Sequence, residues 1–435
     1  MVSLGAFVSA FRTPDLRAKI LFTLGIMAIF RLGSFIPTPG VDFGNVRECL
    51  ALVETTGVFG LINLFSGGAL LQLSIFALGI LPYITASIIV QLLTVVIPRF
   101  EELKAEGQTG TAKLTQYTRY LTIGLAILQS TTFVSLARTN AIFGGACSPD
   151  AFPTIPDQSL PVILLMITTM TAGTGLIMWL GELITAKGVG NGMSLLIFTS
   201  IAATFPSSLW SIATQRSFET MLLVIAIGLV IVVLVVLVEQ SQRRIPVQYA
   251  KRMVGQKAYG GTSTYIPLKV NMAGVIPVIF ASSLLYLPAL VSQFSPESEW
   301  AAWIGRYFVS GDHPLYMLAY VALIIFFTYF YVAITFNPDE VAENMRKYGG
   351  FIPGIRAGRP TAEYLDYVIT RITFPGSIYL ALVALIPLVA LVLVDANQNF
   401  PFGGTSILIV VGVGLETVKQ IQSQLQQRNY EGFLR

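Results

Sequence analysis

The chain has 435 residues, 54% hydrophobic and 11% charged, with a mean hydropathy of +0.71 and a formal net charge of +4. A soluble domain carries roughly 25% charge, so this balance excludes a water-soluble globular fold and describes a polytopic membrane protein. Two cysteines, Cys49 and Cys147, and one histidine, His313, leave no metal-ligand set, no catalytic dyad and at most one disulfide.

At the N-terminus Arg12, Asp15, Arg17 and Lys19 precede the first apolar run, and no small-residue cleavage site follows a short apolar core. The expectation is a retained first span rather than a signal peptide, with residues 4–11 lying along the membrane surface. Charge-poor windows then predict ten spans, near 17–36, 74–96, 114–136, 160–181, 190–211, 219–238, 271–292, 315–336, 372–394 and 403–424. Residues 55–98 carry no charge at all, about twice the roughly 20 residues that one helical crossing needs. Ser66-Gly67-Gly68 interrupts that stretch as a breaker rather than a wet loop. The pattern predicts a short apolar helix near Val58 to Phe65, a break, and a span from about Ser74 to Val96. A half-helix inside the membrane is tolerated where it is buried in protein or fills a water-lined cavity. Structural filler is the alternative use of such a segment.

With both termini on one side, 22 of the 27 Lys and Arg fall on that side, which the positive-inside rule makes cytoplasmic. Two cytoplasmic loops stand out. Residues 239–270 hold Arg243, Arg244, Lys251 and Arg252 among Tyr249, Tyr259 and Tyr265, and residues 337–371 present Arg356 and Arg359 within GGFIPGIRAGRP. Such charges can simply contact anionic lipid. Two long basic, aromatic-bearing tips also suit an acidic protein or an RNA-containing partner. Five crossings in each half, 1–218 and 219–435, give the second half the opposite topology, the arithmetic of an inverted repeat around a central site.

The span interiors are nearly free of ionisable groups: Arg31 lies in the first, and Glu182 and Glu416 sit near cytoplasmic ends. An ion-coupled transporter would need more. No GxxxxGK[ST] loop, paired span aspartates or HExxH motif occurs, so neither an ATPase nor an intramembrane protease is indicated, and no enzyme activity is expected. The spans do carry Thr85, Ser87, Gln91, Gln129 and Asn271, which can bond helices together for roughly 0.6–2 kcal/mol each. Ordinary packing explains each singly; a seam that must open would use the same modest glue. Ile80 and Ile84, one helical step apart, read as core or lipid-facing surface, or as part of a dewetting gate.

Eight segments, read together and in order, carry a resemblance: FIPTPG (35–40), INLFSGGAL (62–70), SIFALGILPYITASIIVQLLTVV (74–96), GNGMSLLIF (190–198), RRIPVQYAKR (243–252), STYIPLKVNMAGVIPVIFASS (263–283), GGFIPGIRAGRPTAEYLD (349–366) and FGGTSILIVVGV (402–413). They are similar to the SecY/Sec61 alpha family, the pore subunits of Sec protein translocation channels, over essentially the whole chain. A plastid or cyanobacterial member, or an accessory paralogue, is the alternative within that family. The resemblance implies an all-α polytopic membrane protein, with ten transmembrane helices in two inverted five-helix halves around an hourglass pore. It implies a re-entrant plug helix at Gly57, Val58, Phe59, Gly60, Leu61, Ile62, Asn63, Leu64, Phe65, Ser66 and Gly67. A pore ring maps onto Ile80, Ile84, Met193, Ile197, Ile279 and Ile409, with methionine a departure that its flexible thioether accommodates. A lateral gate between the second and seventh spans, beside the third and eighth, maps to Thr85, Ser87, Gln91, Gln129 and Asn271. Arg243, Arg244, Lys251, Arg252, Arg356 and Arg359 fall in the loops that receive the ribosome or the SecA motor. The family's GIRPG reads GIRAG here, and loss of that proline is expected to loosen the tip.

The implied partners are the small membrane subunits SecE and SecG, SecA, and the ribosome with its nascent chain, whose RNA is met only through the docking loops. Signal sequences and the lipid bilayer complete the set. No cofactor or metal is implied. The implied location is the inner (plasma) membrane, with a thylakoid membrane as alternative and both termini cytoplasmic. A small-solute transporter is the competing reading, and it would need span charges that are missing. A membrane scaffold is third, and the basic loops argue against it.

Overall fold

The computed structural model describes residues 11–52, 66–143, 147, 152–215, 218–249, 252–254, 257–259, 263–292, 298–305, 307, 313–394 and 404–433. The plug prediction at 57–65 lies outside the described residues, as does Lys251; Ser66 and Gly67 lie within them.

Helices dominate, and each predicted span window has one. In chain order the first group is α1 (Pro14–Gly33), α2 (Phe43–Leu52), α3 (Leu81–Val96), α4 (Pro98–Ala105), α5 (Gln108–Arg138), α6 (Leu160–Lys187) and α7 (Gly192–Gln215). The second group is α8 (Phe218–Gln240), α9 (Ile276–Ser292), α10 (Glu299–Ile304), α11 (Pro314–Thr335), α12 (Pro338–Lys347), α13 (Arg359–Val394) and α14 (Gly404–Phe433). Proline stands in the first turn of α1, α3, α4, α6, α11 and α12, where its missing N–H costs nothing and its fixed φ starts the helix. By length and apolar composition α5, α6, α13 and the α11–α12 stretch can each cross a membrane. The α3–α4 pair, bent by 100° at its break, makes a fifth if taken as one span. Shorter apolar runs lie in α7, α8 and α9. This is an all-α polytopic membrane protein.

The second span starts later than the sequence predicts. Residues 66–80 are a series of turns, and the helix begins at Leu81 rather than Ser74. Gly67, Gly68 and Gly79 adopt φ of +68°, +88° and +56°, and Leu73 joins them at 47°. That left-handed backbone cannot continue an α-helix. Its polar groups are met by the end of α1 instead: the Ile75 amide donates to the Ile36 carbonyl at 2.9 Å and the Thr38 amide to the Leu73 carbonyl at 3.0 Å. The Phe76 ring seats on Gly33, where a Cβ would collide with it, and stacks on Phe30 with centroids 5.8 Å apart.

Packing follows two groups. In the first, α3 packs on α5, α5 on α6, and α6 on α7, with α1 against α6 and α7. The second repeats the order: α9 on α11, α11 on α13, α13 on α14, with α8 against α14. Between the groups α7 meets α8 and α14, and α3 meets α9. One large apolar core runs through both.

The first basic loop is not irregular. β1 (Gln242–Tyr249) pairs antiparallel with β4 (Ser263–Lys269), and β2 (Arg252–Val254) with β3 (Lys257–Tyr259). β5 (Gly350–Phe351), from the second loop, adds to the free edge of β1 through Gln248 and Tyr249. Ile245, Val247 and Leu268 point into a small core with Met345, Ile352, Leu365 and Val368, so the two loops share one base.

Candidate pore, cleft and docking face

The ring residues come from both groups, and each belongs to the main apolar core or packs against it. Ile80, which precedes α3, Ile84 (α3), Ile197 (α7), Ile279 (α9) and Ile409 (α14) are all buried in the main core, and half-buried Met193 packs against it. Met193 lies over Gly181 of α6, where a Cβ would stand 2.5 Å from its Sδ. Apolar side chains offer water and ions no hydrogen-bond partner, which is what a dewetting seal requires.

One side of α3 borders a cleft of about 1150 Å³. Its walls come from α3, α4, α5, the end of α11 and α12. Ser87 and Gln91 line it, together with Tyr83, Thr94, Tyr331 and Asn344. The other gate predictions lie elsewhere. The Thr85 hydroxyl is buried and donates to the Leu81 carbonyl at 3.0 Å, bonding its own helix rather than a neighbour. Gln129 is buried on α5. Asn271 is buried before α9, where its Nδ2 donates to Glu239 Oε1 of α8 at 2.6 Å and to the Gly274 carbonyl at 3.1 Å. It therefore joins α8 to the start of α9. Spacing could not reveal that partner, 32 residues upstream.

The docking arginines also separate. Arg243 and Arg244 are exposed, but at the base of β1, opposite Leu268 and Pro267. The Arg244 guanidinium lies 4.8 Å from the Tyr265 ring, which holds it across the hairpin. The tip expectation holds for Arg356, exposed on the turn between β5 and α13. Gly354 and Gly358, at φ of +84° and +103°, shape that turn. The Ile355 amide donates to the Ile352 carbonyl at 3.0 Å and the Thr361 hydroxyl to the Arg356 carbonyl at 2.9 Å. These bonds hold the turn where the resemblance implies a proline. Arg359 is committed to Glu363 at 3.1 Å, whereas Arg243, Arg244 and Arg356 have no acidic partner among the described residues. Arg252 lies in β2 opposite Tyr259.

On the opposite face three features hold the ends of α1, α3 and α5 together. Cys49 of α2 is disulfide-bonded to Cys147, with Cα atoms 5.9 Å apart. Asp42 and Asn45 bond the Thr154 and Pro153 carbonyls at 3.0 and 2.9 Å, and Thr154 Oγ1 lies 2.8 Å from both the Ala137 carbonyl and Asn140 Oδ1. Arg31, in the last turn of α1, donates from Nη1 to the Gly67 carbonyl at 2.5 Å. An arginine inside an apolar span costs roughly 2.5–3.5 kcal/mol on insertion scales and marks function by default, with its partner the thing to identify. The charge was legible in the sequence; its partner, 36 residues on, was not.

The profile of the family described as SecY matches residues 74–418. Proteins named protein translocase subunit SecY from Streptomyces galbus and Streptomyces coelicolor are each 66% identical, covering 99% of this chain and 100% of theirs. The protein of that name from Mycobacterium tuberculosis H37Rv is 58% identical over the same shares. Among solved structures, a protein-conducting channel superposes with a TM-score of 0.63 at 20% identity, covering 93% of this chain and 91% of that one. Sec61 from a canine ribosome-channel complex superposes with 0.59 at 19%, over the same shares. These structures establish the shared fold. With the profile covering most of the sequence and relatives two-thirds identical along its length, the chain belongs to the SecY family.

Proposed function

We propose that this chain is the protein-conducting channel subunit of a translocase, passing secretory polypeptides across the membrane and releasing apolar segments sideways into lipid. The observation that carries this reading is the meeting of two five-helix groups around a buried apolar junction. They touch along α3 and α9 on one side and along α7, α8 and α14 on the other. The like packing order within the groups supports two inverted halves, 1–218 and 219–435, with the α3–α9 contact as lateral gate and α7 as the back. Ile80, Ile84, Met193, Ile197, Ile279 and Ile409 form the constriction, and residues 57–67 are its plug.

Sorting follows from solvation. A segment of roughly 20 apolar residues gains by leaving a wet pore for lipid, while a central Arg, Lys or Asp loses about 2.5–3.5 kcal/mol by the same move. A seam that opens toward lipid therefore passes polar chain straight through and lets apolar segments out. The cleft walled by Ser87 and Gln91 is where an entering signal segment first meets the seam. The work comes from a translating ribosome or the SecA motor, docked on the exposed Arg243, Arg244 and Arg356, with SecE and SecG as membrane companions. The docking loops and both termini face the cytoplasm of a cell with this channel in its plasma membrane. The disulfide supports that orientation, because it lies on the face opposite the basic loops and disulfides persist on the oxidising side.

The test is a photo-crosslinker at Ile84 or Ile279 with a secretory nascent chain stalled in reconstituted vesicles. Adducts at both positions, lost when the signal sequence is removed, are expected. Docked and inserted substrate that gives no adduct at either position overturns the ring assignment.

A further inference from the structure

We propose that α10 is an in-plane membrane anchor, with Trp300 and Trp303 seated among the lipid headgroups on the face opposite the basic sheet. The helix reads EWAAWI, and its sides differ. Ala301 is buried, and α10 packs on α9. Trp300 and Trp303, three residues apart and so on one helical face, are 43% and 52% exposed. Glu299, in the first turn, is exposed as well.

Depth follows from α11. One end of that helix leads into α12, whose Met345 lies in the small core with Ile245 and Val247 of the sheet. The 22 residues of α11 carry the chain about 33 Å away from there, close to the roughly 30 Å of a bilayer's hydrocarbon core. Pro314 therefore stands at the second membrane boundary, and a run of aromatic contacts leads from it to α10. His313 Nδ1 accepts from the Leu315 amide at 3.1 Å and caps α11. The Tyr307 ring meets His313 edge-on with centroids 4.7 Å apart, and Trp303 lies 5.3 Å from Tyr307.

An indole combines a large apolar surface with one N–H donor that needs a partner. Water fails the first demand and the acyl core the second, and the exposed Glu299 keeps the helix out of the acyl core. The headgroup region meets both demands, which is why tryptophan gathers at membrane interfaces. Leu315 and Leu318, exposed on the first turns of α11, bring the lipid-facing surface up to this helix. The anchor thus sets the depth of one end of α11, whose other end walls the cleft at Tyr331, Ile334 and Thr335. It rests on the membrane setting alone and stands whatever the chain conducts.

The experiment labels the full chain, in its purified complex, with fluorotryptophan and records fluorine NMR in phosphatidylcholine–phosphatidylglycerol vesicles. W300F and W303F assign the two lines, and Trp179, exposed on α6 between its two ends, is the deep reference. A nitroxide on the lipid headgroup should broaden the Trp300 and Trp303 lines at least about threefold more than one at the acyl terminus, with the order reversed for Trp179. Broadening by a soluble gadolinium chelate with neither lipid probe acting would put the helix in water. Stronger broadening from the acyl probe would put it in the core. No broadening by any probe would mean that protein, a companion subunit or a second copy, covers it. Each of these overturns the proposal. Anchoring is read separately by hydrogen exchange in the first turn of α11. W300S/W303S should raise it about threefold or more, while W300Y/W303Y, which keeps amphipathic rings, should stay within about twofold of the unaltered protein. Unchanged exchange in the serine variant overturns the anchor even where the rings lie at the interface.

Discussion

The two faces of this molecule use their polar groups in opposite ways. On the disulfide-bearing face nearly every named polar group is committed: Cys49 to Cys147, Asn45 to Pro153, Thr154 to Ala137 and Asn140, Arg31 to Gly67. On the sheet-bearing face a cleft of about 1150 Å³ stands open between α3, α5 and α11, and Arg243, Arg244 and Arg356 point into solvent without acidic partners among the described residues. The difference teaches where motion is invited. A closed network keeps that face in register, while unspent donors and an open cleft leave the other face free to meet a partner.

Imposing the closed condition on the open face should have the largest effect. With Gln91→Cys and Asn344→Cys joined across the cleft by a bis-maleimide, export of a signal-bearing substrate should fall by roughly tenfold or more, because the walls can no longer part. Undiminished export at full crosslinking would remove the cleft from the pathway. Opening the closed face is the converse. Replacing both Cys49 and Cys147 by serine should lower stability by about 2–4 kcal/mol, read by thermal unfolding in detergent, since the bond spans a sequence separation of 98 residues. An unchanged transition would show the face is held by its hydrogen bonds alone.

The arginines of the tip give a finer comparison. R356E should weaken ribosome or motor binding by roughly tenfold and steepen its loss with salt, while R359E, whose charge already meets Glu363, should change it by less than about threefold. Equal losses would mean that net charge rather than the tip's geometry governs docking. The smallest contrast sets Thr154→Val against Ser87→Ala. The first leaves buried acceptors near Ala137 and Asn140 and should cost about 1–2 kcal/mol of stability; the second, on the open cleft wall, should cost less than about 0.5.

Much of the fold was legible in the sequence because lipid imposes simple demands. Runs free of charge favour helices, and each of the ten windows holds one. The start of α3 was misplaced because hydropathy registers SIFALG as apolar without distinguishing helix from turns. Glycines at positive φ and bonds to the end of α1 decided that stretch. For the site, the isoleucines mapped through the resemblance are buried in the main core, and Ser87 and Gln91 of the gate residues line the cleft. Thr85 is turned back on its own helix and Asn271 is taken by Glu239.

The sequence by itself determined the solvent of this protein and the order of its apolar segments. Each of these depends on composition counted along the chain. Only the tertiary structure decided which distant groups meet: Arg31 with Gly67, Cys49 with Cys147, β1 with β5, and α12 against the cleft. Those pairings depend on helix packing and on backbone donors left over at turns, and no local pattern encodes them.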